Sequence, residues 1–466
     1  MATHTGLPGL AEGLETVVTR AHELDVAIHT VDVRAGDQRL LAAACAPRGH
    51  DVPQRMYSLS KTVTGLAVGL LAAEGALSLD DPVVRHFPDL VAGSPPHPWL
   101  EATTLRDMLA MRGPHRSTTY KVREGGWLES YFRVPPTHPP GALFTYDTSA
   151  SYTLAALVER TTGTSVAEYL RPRVLDPIGV SPGLRFLPGP DGFSHGGSGL
   201  ICTPDDLGRL ARLLLDGGVH DGARLLPADY LDAATSPQSD PATQTWGGSF
   251  RAAYGYQLWL PPQGGWLMFG LGGQIVYGDP ACRVSVVVTA DAQAAASGDQ
   301  KLLDLVLDHL VAPARGEAAE VTPGMAPGMA PDLVDLAWPA PRHDAAHARP
   351  LSGRWATRTP DAGPAGLTLD LAPGGGTVAS TDGWSLALDT SGAAVTTVAG
   401  EPAVVTAGWS GPGTLDVRAG THGDELATLR LRLVLLDDGT LAVQSQGFGE
   451  TLDPRWTFHA AYSPAG

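Results

Sequence analysis

Ser58 and Lys61 stand three residues apart in Met56-Tyr-Ser-Leu-Ser-Lys-Thr-Val-Thr-Gly-Leu66, at the head of an apolar run that predicts a helix over Ser58 to Glu74. At that spacing both side chains lie on one helical face. A serine hydroxyl is a weak nucleophile at neutral pH and needs a base. A lysine removed from water loses its proton more readily and can serve as that base. The helix N-terminus adds N–H groups and a favourable dipole for a developing oxyanion. On its own the tetrapeptide is a common accident, and a serine cap followed by a solvated lysine is its simpler reading.

Other segments supply what a serine–lysine pair lacks. Phe144-Thr-Tyr-Asp-Thr-Ser-Ala150 sets Tyr146 just ahead of a helix predicted over Thr148 to Thr161, where its phenol could relay a proton between serine, lysine and leaving group. Asp147 and Thr148 are expected to line the substrate beside it. Phe269-Gly-Leu-Gly-Gly-Gln274 is a Gly-rich entry to a strand, and glycines let a backbone approach a substrate closely. The N–H of Ser58 and one near Leu271 are the expected oxyanion donors, with Gly272, Gly273 and Gln274 lining the substrate. The alternative for this segment is an ordinary turn or bulge. Ser198, in His195-Gly-Gly-Ser-Gly-Leu200, lacks a nucleophile elbow because Leu200 stands where that motif needs glycine. The Gly run is expected to shape a loop beside the site, and His195 reads as a solvated or structural loop histidine.

The elements that must position these groups can be read from the pattern. Asp25 to Val33 and Arg39 to Ala44 should form an opening hairpin, and Arg283 to Thr289 is a near-continuous apolar strand buried on both faces. Pro204 to Leu215 is predicted helical behind Thr203 and Asp206, a capping-box start, and Leu303 to Leu310 a closing helix. Strands at both ends with helices between suggest a sheet whose first and last strands pair around a helical insertion. Glu317 to Pro350, with its near-repeat of Pro-Gly-Met-Ala, reads as a linker. After it, alternating runs such as Leu367 to Leu371 and Leu429 to Leu433 predict antiparallel β structure, with Trp355, Trp384, Trp409 and Trp456 as core aromatics.

The 466 residues include 32 Lys and Arg against 49 Asp and Glu, a formal charge of −17. Such a surface repels phosphate backbones and anionic lipid, so neither nucleic acid nor membrane is expected as a partner. No apolar stretch reaches the roughly 20 residues a bilayer span requires, and the first 24 residues do not read as a secretory signal. A cytoplasmic location is therefore expected, with Cys45, Cys202 and Cys282 as reduced thiols. The 15 histidines show no metal-binding spacing and no phosphate loop occurs. No cofactor or metal is expected.

The combination resembles the class C β-lactamase-related serine hydrolases, penicillin-binding-protein-like proteins that include DD-peptidases, esterases, amide hydrolases and transesterases. The likeness runs from about residue 25 to 312 through five ordered segments: Tyr57-Ser-Leu-Ser-Lys-Thr to Leu77-Ser-Leu-Asp-Asp-Pro82-Val, then Leu105-Arg-Asp-Met-Leu-Ala-Met, Pro140-Gly-Ala-Leu-Phe-Thr-Tyr146, Leu175-Asp-Pro-Ile-Gly179, and Gly196-Gly-Ser-Gly-Leu-Ile-Cys-Thr-Pro-Asp-Asp-Leu207. It implies Ser58 as acyl-accepting nucleophile, Lys61 as its base and Tyr146 as proton relay. The implied fold is α/β: a β-lactamase/transpeptidase-like α/β sandwich with the site between an antiparallel sheet and a helical region. Domains are expected at 1–312, with a linker over 313–349 and a small antiparallel β sandwich or lipocalin-like barrel over 350–466.

Two departures bear on substrate. The family's second motif is usually Tyr-x-Asn, whereas Tyr146 is followed by Asp147 and Thr148. The third is often Lys-Thr-Gly or His-x-Gly, whereas this chain has Gly270-Leu-Gly-Gly-Gln274. An amide-reading and a carboxylate-gripping side chain are thus missing, which argues against an efficient β-lactamase or DD-peptidase. The Gly-rich form looks more like the esterase and oligo-amide hydrolase branches. The expected activity is a serine acyl-enzyme hydrolase of a small-molecule or peptide ester or amide. The alternatives are a biosynthetic transacylase or transesterase with an amine or alcohol acceptor, and an idle module that only binds an acyl ligand.

Overall fold

The computed structural model describes residues 8–93, 95–244, 246–318, 333–450 and 452–465. Its first sheet has eight strands in the spatial order Val334–Asp335, Gln38–Ala44, Ala27–Ala35, Val284–Asp291, Gln274–Asp279, Trp266–Gly270, Trp259–Leu260 and Ala253–Tyr254. All neighbours are antiparallel except Val334–Asp335, which joins Ala43 and Ala44 in parallel. The opening hairpin forms as expected, and its first strand pairs with the late strand Val284–Asp291, so the two ends of the domain meet. That late strand is buried at every position. Val287 faces the helical region, while Val286 and Val288 face a second core, which is why the sequence does not alternate.

The second core lies under the helix Pro8–Glu23 and the closing helices, which run from Gly298 to Ala318 with a wider turn at Leu307–Val311. The first core holds the helical insertion, including Ser60–Ala73, Thr148–Thr162 and Pro204–Leu215. Thr203 and Asp206 form the full capping box predicted for the last of these, a device that adds about 1 kcal/mol. Cys45 and Cys202 are buried thiols, and Cys282 is a partly buried one.

The Pro-Gly-Met-Ala repeat falls within 319–332, outside the described residues. The chain from residue 333 onward is tied to the first sheet: Leu336 N donates to Ala44 O and Trp338 Nε1 to Ala46 O, both at 2.7 Å. The C-terminal unit is a ten-stranded antiparallel sheet from Leu351–Thr357 to Phe458–Pro464. It curls until its edge strands Ser385–Asp389 and Ala393–Val398 touch, with Thr396 Oγ1 donating to Ser385 O at 3.5 Å. It is thus the barrel rather than the sandwich. Leu367, Leu369, Leu371, Leu429, Leu431 and Leu433 point inward in strict alternation, together with Trp355 and Trp409. Trp384 and Trp456 are only partly buried and lie outside the strands, their rings 5.5 Å apart. Among the described residues, no helix is long and apolar enough to cross a membrane.

Candidate active site

Ser58 lies in the turn that feeds the helix Ser60–Ala73, two residues ahead of its expected place in the helix proper. The turn is sharp because Tyr57 adopts φ +47°, a conformation that costs a non-glycine residue energy and must be held by its surroundings. Ser60 helps to hold it: its hydroxyl donates to the Tyr57 carbonyl and accepts from Leu200 N at 2.8 Å. Of the two serines in the motif, then, Ser60 is a brace and Ser58 is the one left facing a cavity.

Lys61 is 1% exposed, and its Nζ reaches three oxygens: Ser58 Oγ at 2.9 Å, Gly197 O at 2.7 Å and Thr148 Oγ1 at 3.3 Å. Burial is the main reason that its pKa falls to about 7, since an ammonium without water loses solvation. Nearby Lys121 lowers it further, and Asp147 and Glu450 oppose the fall. One turn on, Thr64 Oγ1 donates to Gly196 O at 2.9 Å, so residues i and i+3 of one helix staple the Gly196-Gly197 loop. A Cβ on Gly197 would come within 2.5 Å of Thr148 Cγ2 and 2.8 Å of Thr148 O. The Gly run therefore shapes the loop from which Lys61 takes its acceptor.

Tyr146 stands where the serine and lysine meet. Lys61 Nζ lies 4.7 Å from its ring centroid, and the Ser58 side chain lies near its hydroxyl. Burial holds the phenol well above its usual range, in its protonated, donating form. The ring stacks on Trp259 and meets Trp246 edge-on at 5.1 Å.

The cavity at Ser58 encloses about 750 Å³. Thr148, Leu271 and Gly272 line it. Asp147, Gly273 and Gln274 do not. Asp147 is 3% exposed and caps the helix Thr148–Thr162 by accepting from Ser149 N at 2.8 Å; burial raises its pKa to about 6. Gln274 turns inward, accepting from Gln54 Nε2 at 2.7 Å and donating to Ala290 O at 2.6 Å. Gly273 is a turn residue at φ +87° whose N–H bonds Gly270 O. Gly270 is needed for a different close approach from the one expected, since a Cβ there would lie 2.2 Å from Met56 O. It lets the strand end press against the chain delivering Ser58. Leu271 and Gly272, between them, have N–H groups without a protein acceptor among the described residues.

Several lining residues left no signal in the motifs. Tyr120 and Trp127 stack at 4.1 Å and enclose His195, which is 7% exposed. Burial takes the His195 pKa to about 3, so the ring is a neutral wall rather than a solvated loop histidine. Trp246, Phe250 and Phe269 form the facing aromatic wall, and Glu450 enters from the C-terminal barrel. Away from the cavity, Asp32, His50 and Asp205 come close enough to suggest a cation site, but Arg39 bridges the two carboxylates and Arg34 also pairs with Asp32.

Comparison with known proteins agrees with this geometry. A 6-aminohexanoate-dimer hydrolase of Paenarthrobacter ureafaciens is 26% identical over 261 residues, covering 52% of this chain and 63% of that protein. The chain thus spans less than two thirds of that relative's length. The octameric penicillin-binding protein homologue of Pyrococcus abyssi superposes over 97% of this chain and 99% of its own, with a TM-score of 0.51 at 13% identity. EstCE1, described as a hydrolase with promiscuous acyltransferase activity, covers 64% of this chain and 98% of its own, with a TM-score of 0.51 at 16% identity. Residues 29–311 match the beta-lactamase family model, a stretch that begins in the first strand and ends in the closing helices. With well over half of its length inside that match, the chain belongs to the beta-lactamase family, whose members are serine hydrolases.

Proposed function

We propose that the protein is a serine acyl-enzyme catalyst acting on a small-molecule or peptide ester or amide. The observation that supports this most is the set of partners around Lys61. With a pKa near 7 the amine is neutral in about half of the molecules at neutral pH. A neutral amine keeps two N–H groups, which Gly197 O and Thr148 Oγ1 accept, and its lone pair is then left toward Ser58 Oγ at 2.9 Å. Lys61 takes the Ser58 proton as Oγ attacks the carbonyl carbon. The N–H groups of Ser58 and Leu271 hold the oxyanion. Tyr146 donates its proton to the leaving group, and Lys61 hands it back the proton taken from Ser58, so that amine and phenol both end the acylation as they began. Water then resolves the ester.

Transfer of the acyl group to an amine or alcohol is the second reading. The two aromatic walls of a 750 Å³ cavity favour it, because an organic acceptor held there competes with water for the acyl-enzyme. Incubation with a fluorophosphonate should add its mass to the Ser58 peptide, and Ser58→Ala should lose both the adduct and ester turnover. Full activity in Ser58→Ala would sink the proposal. Ligand-induced thermal stabilisation without adduct or turnover would identify an idle binding module instead. Partitioning of a short-chain ester between hydrolysis and an added amine separates hydrolase from transferase.

A further inference from the structure

The segment that delivers Ser58 is held from two sides, and one side is the C-terminal barrel. Arg55 N donates to Asp424 O at 2.8 Å, and Tyr57 OH to Leu426 O at 3.5 Å. The Arg55 guanidinium, 8% exposed, forks between the domains. Its Nη1 donates to both Glu425 oxygens at 3.0 and 3.1 Å, and its Nη2 reaches Glu450 at 3.1 Å. Its Nε donates to Ser198 O at 2.8 Å, one residue beyond the Gly197 carbonyl that accepts from Lys61. The same guanidinium packs 4.6 Å from the centroid of the Tyr57 ring, where the strained φ lies. Gln293, on the cavity wall, donates to Leu426 O at 3.0 Å.

We infer that the barrel completes the active site: Glu425 and Glu450, through Arg55, are positioning residues that hold Tyr57, Ser58 and the Gly197 carbonyl in reacting geometry. A buried guanidinium needs its charge balanced and its donors filled, and both carboxylates come from the barrel. Without them Arg55 has no counter-ion at this site. The strained turn then loses its restraint, and misplacement of reacting atoms by about 1 Å can cost on the order of 100-fold in rate. Glu450 has a second effect. From the cavity wall its carboxylate favours the charged form of Lys61, as the buried Asp147 does, while Lys121 opposes them; the Tyr146 ring and the neutral His195 complete the surroundings of the amine.

The inference rests on Ser58 being the nucleophile, so its test has a readout that does not. The wild type, a Glu425→Gln/Glu450→Gln double variant and Arg55→Lys are compared with Asp25→Asn, which removes another inter-domain ion pair, that of Arg418 and Arg430 with Asp25. The double variant is expected to slow fluorophosphonate labelling of Ser58 and lower kcat at least tenfold with KM nearly unchanged. Amide hydrogen exchange over residues 55–61 should rise in the same variants, and the acidic limb of kcat/KM should move to lower pH in Glu450→Gln. Arg55→Lys keeps the charge without the fork and should behave similarly. Asp25→Asn should match the wild type. Wild-type labelling and exchange in the double variant, or equal losses in Asp25→Asn, would overturn the inference. A wild type that never labels at Ser58 would overturn the serine hydrolase reading alone, and the exchange data would still decide the clamp.

Discussion

The amine of Lys61 sits 4.7 Å from the centre of the Tyr146 ring, while the Ser58 side chain lies near the hydroxyl of that ring. One side chain thus meets the base with its face and the nucleophile with its edge. Tyr146→Phe separates the two contributions, because it keeps the face and removes the proton. Turnover of amides and alkyl esters should fall by roughly 100-fold or more, the usual worth of a positioned acid. Nitrophenyl esters, whose leaving group departs without a proton, should lose far less. Equal losses on both substrate types would argue against the relay.

The pH profile is set by Lys61. A base must be neutral to act, so kcat/KM should rise with pH and level off above about 7, with about tenfold lost for each pH unit below. The Asp147 carboxylate favours the charged lysine. Asp147→Asn keeps a cap acceptor and removes that charge, so the acidic limb should move to lower pH. A limb that stays in place, or moves upward, would contradict the assignment of Lys61 as the titrating base.

Asp147→Asn also makes a stability prediction of definite sign. Its pKa is raised in the folded state to about 6, so the folded protein binds the proton more tightly than the unfolded chain does. That contribution favours the folded state at low pH and is lost as pH rises through 6. Relative to wild type, Asp147→Asn should therefore gain stability between pH 4 and 7, as followed by urea denaturation at several pH values. A constant difference between the two proteins across that range would contradict it.

The two serines of the motif should fail in opposite ways. Ser60→Ala leaves the Leu200 N–H buried without its partner, at a cost of about 1–3 kcal/mol in unfolding free energy. Ser58→Ala should leave the unfolding midpoint nearly unchanged and abolish labelling.

Gly197→Ala probes the loop from the other side. The added methyl collides with Thr148, partly against backbone, so the Gly197 carbonyl must move away from Lys61. A fall of at least tenfold in kcat with intact near-UV circular dichroism is expected; unchanged kinetics would mean that the lysine does not need this acceptor.

Much of this site was legible because its chemistry is local. Ser58 and Lys61 share a turn, Tyr146 precedes a helix, and Thr148 and Leu271 occupy the expected wall. Asp147 and Gln274 were misplaced for one reason: a polar residue beside a motif looks the same in sequence whether it faces substrate or satisfies a buried backbone group. Only packing decides, and here Ser149 N and Ala290 O claim them. Glu450 and Arg55 were invisible because their pairing spans 395 residues of chain and no period connects them. The barrel's inward leucines could be read from alternation, but its closure depends on strand twist, which the hydrophobic pattern does not encode.

The short parallel strand Val334–Asp335 has a consequence for attempts to shorten the protein. It pairs with the outer edge of Gln38–Ala44 at Ala43 and Ala44, the end of a strand buried from Leu40 to Ala44. A fragment ending near 318 would keep the residues around Ser58 and Lys61, yet it would uncover the backbone N–H and C=O groups at Ala43 and Ala44 at the edge of an apolar strand, a template for pairing between molecules. Such a fragment should self-associate through that edge. A lysine introduced on that strand, or retention of residues up to Trp338, is the natural remedy.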